Sequence, residues 1–236
     1  MKTIRGMFLA AAVLAAPVQA GDLDNLDALN QAGFRDLARD LGAIASYKAA
    51  QPAEPYGIIG FDVSAGATWT GIEHRDAWEL ASGSRDSSAP LAHLSVTKGL
   101  PLNFDIGAYL ATSNEGFRVL GAQLRYALHE GGVLTPAVGL RFATTRIEGA
   151  DQFDYATNGV DLSISKGFAM LTPYAGIGRL WMDAEPVAAT GLADESLTAT
   201  RWFAGMKVSL LLLQLTFEAE RVGDADRYTA NLGFSF

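Results

Sequence analysis

The nine residues from Tyr228 to Phe236 alternate without a break. Tyr228, Ala230, Leu232, Phe234 and Phe236 share one parity, and Thr229, Asn231, Gly233 and Ser235 share the other. Successive side chains of a strand point to opposite faces, so this run is a strand with one apolar face and one small, polar face. The same dyad repeat recurs through most of the chain from Gly57 onward, which argues for strands rather than helices there. Ten segments carry it: 57–72, 91–98, 103–112, 117–128, 133–146, 158–166, 170–182, 198–208, 211–222 and 228–236. In the first, Phe61, Val63, Ala65, Ala67 and Trp69 oppose Asp62, Ser64, Gly66, Thr68 and Thr70. In the ninth, Leu213, Leu215, Phe217 and Ala219 oppose Gln214, Thr216, Glu218 and Glu220.

A terminal aromatic strand of this kind resembles the last strand of Gram-negative outer-membrane β-barrels. The resemblance covers residues 1–20 and 57–236 and implies no particular subfamily. It implies an assembly signal at Tyr228, Leu232 and Phe236, read by the barrel assembly machinery. It also implies outer-membrane lipid and lipopolysaccharide as surroundings. The connections agree with such a barrel, where short periplasmic turns alternate with longer outer loops. Residues 98–103, 129–132, 167–169 and 209–210 are the short connections; 73–90, 113–116, 147–157, 183–197 and 223–227 are the outer ones. An even count leaves both ends of the barrel chain in the periplasm. Trp69, Phe142, Trp181 and Trp202 are expected in an outer aromatic girdle, and Phe61, Phe104, Tyr126 and Phe236 in an inner one. The expected fold is therefore an all-β transmembrane antiparallel barrel of about ten strands over 57–236.

The start of the chain fits export. Lys2 and Arg5 precede an apolar run from Met7 to Val18, and Val18-Gln19-Ala20 places small residues before Gly21 as a signal-peptidase site requires. Removing residues 1–20 takes away two of the 18 basic residues and none of the 26 acidic ones, so the net charge moves from −8 to −10. That balance argues against a nucleic-acid partner. The absence of cysteine excludes disulfides, thiolate metal sites and a cysteine nucleophile.

Residues 21–56 read as an amphipathic helix and a proline-containing linker. Phe34, Leu37, Leu41, Ile44 and Lys48 recur at three- and four-residue spacings, and Gln51-Pro-Ala-Glu-Pro55 stops the helix. The inward parity of the strands reads as strongly polar. An apolar stripe is then better placed against the periplasmic rim or the inner leaflet than deep in the barrel, with a plug as the alternative.

The polar parity carries Asp62, Asp105, Asp161, Glu218 and Glu220 together with Arg125, Arg141, Arg201 and Lys207. Charges withdrawn from water persist when paired, and arginine suits bidentate carboxylate contacts, so a charge lattice lining the lumen is expected. The leading functional expectation is a narrow channel or small-ligand passage. A structural or adhesive surface barrel is the alternative, and a lipid-modifying enzyme a third. For the enzyme, His93-Leu94-Ser95 resembles the His-x-Ser pair of outer-membrane lipid A deacylases, although parity turns His93 and Ser95 to the lumen rather than to lipid. The helix before a small barrel is similar to the arrangement of lipid A palmitoyltransferases, with no catalytic motif shared. No cofactor is implied, and His74 and His129 show no metal-ligand spacing.

If Phe236 is part of the assembly signal, deleting it should lower the yield of heat-modifiable barrel in outer-membrane fractions. An unchanged yield would remove that role.

Overall fold

The computed structural model describes Leu23, residues 25–48, 50–113 and 116–236. The expected signal peptide at 1–20 lies outside the described residues. Ten antiparallel strands close into a barrel: β1 (Phe61–Gly71), β2 (Ser88–Gly99), β3 (Phe104–Ser113), β4 (Arg118–His129), β5 (Ala137–Glu148), β6 (Phe153–Ser165), β7 (Leu171–Pro186), β8 (Glu195–Leu210), β9 (Leu213–Val222) and β10 (Ala225–Ser235). Each strand pairs with its sequence neighbours, and β1 closes the ring on β10 with Val63 opposite Phe234 and Trp69 opposite Tyr228. Closure removes every free sheet edge, which is the condition for strands to cross hydrocarbon.

The parity read from sequence is the parity observed. Leu215, Phe217 and Phe142 are exposed on the outer wall while Thr216, Glu218 and Arg141 are buried inside. Phe61 packs on Phe234 and Phe236, and Phe104 stacks on Tyr126, which places two aromatic groups at the short-turn end. Trp69, Trp181 and Trp202 stand towards the long-loop end; Phe142, opposite Leu124 and Val160, is nearer mid-wall.

Several boundaries differ from the sequence reading. Residues 57–60 precede β1 instead of forming its first turn of pleat, and Leu134 and Thr135 lie in the β4–β5 connection. The strands β6, β7 and β8 run further towards the long loops than the sequence reading gave them, taking in Phe153, Tyr155, Ala184 and Leu197. The β1–β2 loop contains a second helix, α2 (Arg75–Ser82), whose Trp78 is fully buried.

The larger correction concerns the N-terminal helix. It forms α1 (Gln31–Ala45), begun by Asn30, whose side chain accepts from Gly33 N. It does not lie on the periplasmic rim. Phe34, Leu37, Leu41 and Ile44 are each no more than 1% exposed, packed within the barrel against α2 and the inner wall. Gly42 lets the helix approach that wall, because a Cβ there would lie 2.8 Å from Met182 Cγ and from Tyr155 Oη. The wall at this level is apolar: Leu91, Val119, Ile147, Tyr155, Leu180, Met182 and Val222 face inward beside Phe153 and Leu197. Burying each large side chain of the stripe contributes about 1.5–3 kcal/mol.

The segment passes from one end of the barrel to the other. At the long-loop end Leu26 N donates to Gln152 Oε1, and Gln31 exchanges hydrogen bonds with Ala193. At the short-turn end Ala53 N donates to Ser165 Oγ and Tyr56 N to Asp105 Oδ1. In outer-membrane barrels the long loops face outward, so Leu23 and residues 25–30 lie at the exterior end of such a barrel. The absence of native cysteine makes this directly measurable. Asp27→Cys should react with a membrane-impermeant maleimide on intact cells, whereas Val133→Cys in a short turn should react only after permeabilisation. The opposite pattern would reverse the orientation.

Candidate functional site: the occluded lumen

Below the apolar level the lumen becomes polar, and the chain that fills it is no longer helical. Residues 46–48 and 50–56 have no strand partner, so their backbone groups need side chains or water. The inner wall supplies the side chains. Arg227 on β10 donates to the Ala43 carbonyl, to Ser46 Oγ at 2.6 Å, and to Glu220 directly opposite it on β9. Arg201 on β8 donates to the Tyr47 carbonyl at 3.4 Å. Arg125 on β4 donates to the Pro52 carbonyl at 2.5 Å, the Glu54 carbonyl at 3.1 Å and Gln51 Oε1 at 3.3 Å. Lys48 turns back on its own helix and donates to the Ile44 and Ser46 carbonyls. The last carbonyls of a helix are unsatisfied and carry partial negative charge. Arg227 and Lys48 meet that end inside the membrane thickness.

The arginines are themselves held. Asp161 accepts from Arg141 Nε at 2.7 Å and lies 3.2 Å from Arg201 Nε, and Glu220 lies 2.9 Å from the same nitrogen. Gly178 stands between Asp161 and Arg201 in the register, and a Cβ there would come within 2.7 Å of the Val160 carbonyl and overlap the Asp161 carboxylate. Glycine at this point lets the ion pair reach across an intervening strand. Asp105 lies 3.4 Å from Arg125, and Glu218 accepts from Tyr174 Oη at 2.9 Å. Asp62 and Lys207 share the wall of a residual cavity of about 10 Å³ with Gln51 and Thr216. A second of about 10 Å³ lies between Gln51, Arg125 and Arg141. Each is at the lower limit for a single water. As described, the lumen is closed.

At the outer mouth, Asp40 of α1 is gripped by His74, whose backbone N and Nδ1 lie 2.9 and 3.0 Å from its two oxygens. Burial pushes the Asp40 carboxyl up from its ordinary range, and the His74 contacts draw it part of the way back.

The sequence candidates are therefore arranged in two groups. Arg141, Asp161, Arg201 and Glu220 form one connected cluster; Asp105 and Arg125 form a separate pair nearer the short turns; Glu218, Asp62 and Lys207 stand apart from both. Arg227, Lys48 and Gln51 were not among the candidates. Arg227 shares the parity of Thr229 and Asn231, and extending the terminal alternation by one step would have placed it inside. The pair His93 and Ser95 is buried, but its members engage other partners: His93 Nε2 bonds Asn231 Oδ1 at 2.8 Å and Ser95 Oγ bonds Ser64 Oγ at 2.8 Å. A nucleophile needs its base within hydrogen-bond reach; here His93 Nε2 and Ser95 Oγ bond other residues, while His93 Nδ1 has no partner among the described residues. Tyr228, Leu232 and Phe236 are all exposed on the outer wall, more than half of each surface open.

No family model matches the chain, and no curated protein does. Among solved structures it is similar to the N-terminal β-barrel domain of Pseudomonas aeruginosa OprF, at 11% identity over 76% of this chain and 99% of that one, with a TM-score of 0.36. It is also similar to OprG of the same organism, at 10% identity over 78% and 99% with a TM-score of 0.38. The KdgM porin matches at 9% identity over 75% and 99% with a TM-score of 0.37. Likeness at this level leaves the assignment to the architecture. A closed, even-stranded antiparallel barrel with an apolar outer wall and an aromatic girdle makes this chain an outer-membrane β-barrel protein, with no subfamily identified.

Proposed function

We propose that the protein is a gated passage for small polar or ionic solutes, closed at rest by residues 23–56. The observation that carries this reading is the contrast between the two anchors of that segment. Its outer part is sealed by apolar packing among Phe34, Leu37, Leu41, Ile44 and Trp78. Its inner part, from Ser46 to Tyr56, is held by side chains whose hydrogen bonds water or a permeating ion can replace. A permanent filler would be served at least as well by a helix against an apolar wall at every level, as in the outer part, since buried ion pairs commonly contribute no more than well-packed hydrophobic groups. A lining of alternating arginine and carboxylate is suited instead to a short polar path, exposed when the inner segment shifts. The passage would be narrow, since ten strands lie near the filled end of the barrel series.

The second reading, a closed structural barrel, is favoured by the completeness of the outer seal. Planar-bilayer recording separates the two. The intact protein should be mostly closed, and deletion of residues 23–56 should raise single-channel conductance several-fold. Arg227→Met tests the same idea without removing the segment. It removes the charged donor from Glu220 and the Ala43 carbonyl, leaving Arg201 on the first and the Ser46 hydroxyl on the second, should cost about 1.5–3 kcal/mol of stability, and should raise the frequency of opening. A deletion variant that folds yet stays closed, together with unaltered opening in Arg227→Met, would favour the structural reading.

A further inference from the structure

Four consecutive strands meet residues 52–56 just inside the short-turn end, and all four meet main chain. Arg125 on β4 donates to the Pro52 and Glu54 carbonyls at 2.5 and 3.1 Å. Ser165 on β6 accepts from Ala53 N at 3.0 Å, and Asp105 on β3 accepts from Tyr56 N at 3.0 Å. Between them β5 presents Gly139. A Cβ at that position would lie 3.2 Å from the Ala53 carbonyl oxygen and 3.5 Å from Ala53 Cβ. Glycine therefore marks a close approach of the segment's backbone to the wall.

The side chains of Pro52 and Ala53 carry no hydrogen-bonding group. Recognition at those two positions is thus recognition of peptide main chain, and it does not depend on which residues supply it. The polarity of the cradle is mixed in the way an amide is mixed. Arg125 offers donors to two carbonyls two residues apart, and Ser165 and Asp105 offer acceptors to N–H groups. Pro52 and Pro55 bring no N–H that would need a further acceptor. A simple anion could use Arg125 but would meet the Asp105 carboxylate, 3.4 Å from that guanidinium, and a simple cation would meet the reverse. An uncharged amide uses both. A barrel of ten strands has room for one such chain at a time.

We infer that this cradle is a binding site for short peptides, and that residues 52–56 occupy it as an intramolecular stand-in for them. The inference rests on the reading of the lumen as a gated passage, and it names the solute class of that passage. When the inner segment shifts, Arg125, Ser165 and Asp105 lose their main-chain partners together. The main chain of an entering peptide restores each of those bonds, whatever its sequence.

The test is solute entry into proteoliposomes carrying the folded full-length protein. The probes are N-acetyl-trialanine amide and maltose, two uncharged solutes of similar size, one bearing amides and the other only hydroxyl and ether oxygens. At low concentration the peptide should enter at least about tenfold faster, the worth of one charged hydrogen bond. Arg125→Met removes both carbonyl donors and should bring the ratio of peptide to maltose entry near unity. Ser165→Ala removes the acceptor for Ala53 N, leaves every charge in place, and should lower the ratio about threefold. Equal entry of the two solutes, or an unchanged ratio in either folded variant, would overturn the inference while leaving a passage in place. Entry of neither solute would overturn the passage reading and this inference with it. Heat-modifiable migration confirms that each variant has formed a barrel, and Ser165→Ala carries the comparison alone if Arg125→Met does not fold.

Discussion

A membrane interior offers no water to an unpaired peptide group, and everything inside this barrel follows from that constraint. The strands satisfy theirs by closing the ring. Helix α1 satisfies its own until its last turn. The extended stretch beyond it is supplied from the wall: Arg227, Arg201 and Arg125 donate to main-chain carbonyls at successive depths, while Ser165 and Asp105 accept from main-chain N–H groups near the short turns. These side chains are charged because a charged donor makes a stronger hydrogen bond than a neutral one. The carboxylates of Asp161, Glu220 and Asp105 are there because an uncompensated buried arginine would not be tolerated. The charge lattice is thus better understood as the partner of a threaded segment than as bracing between strands.

The same constraint divides the lumen into two levels. Where α1 has its backbone satisfied, the wall opposite it is free to be apolar, and Leu91, Val119, Leu180 and Met182 face the helix stripe. Where the backbone is irregular, the wall must be polar. The change of composition along the inside of each strand therefore tracks the change of conformation along the segment it encloses. It also leaves the hydrogen-bonded level as the part that can exchange partners without breaking an apolar core. That asymmetry is what makes opening from the inner side physically reasonable.

Most of the barrel was legible because its signal is local. A two-residue period needs only one strand to be visible, and the ten strands, their facing and their order of short and long connections could be read directly from Phe61, Leu94, Leu124 or Leu215 and their neighbours. The position of the helix was not legible in this way, and the reason can be traced to particular residues. Phe153, Tyr155, Ala184 and Ala225 were assigned to outer loops, so the apolar inward positions were trimmed from the strands that carry them. The lumen then reads as polar throughout, which places an apolar helix better at the rim than inside, with a plug only as the alternative. The same trimming hid Arg227, one step before the terminal run. The pairing of Arg125 with carbonyls of Pro52 and Glu54 has no sequence signature, because a main-chain acceptor is the same at every residue.

The most direct test of the threaded geometry is a single engineered disulfide, since the chain has no cysteine of its own. Gly42 on α1 and Met182 on β7 are close enough that a Cβ at position 42 would lie 2.8 Å from Met182 Cγ. That spacing suits the Cβ–Cβ distance of about 3.8 Å found in disulfides. With the helix inside the barrel, the double variant Gly42→Cys, Met182→Cys should oxidise to an intramolecular disulfide in folded protein, visible as a thiol count of zero and a mobility shift reversed by reductant. With the helix on the periplasmic rim, position 42 would not reach position 182. Two free thiols in a correctly folded, oxidant-treated barrel would contradict the threaded segment.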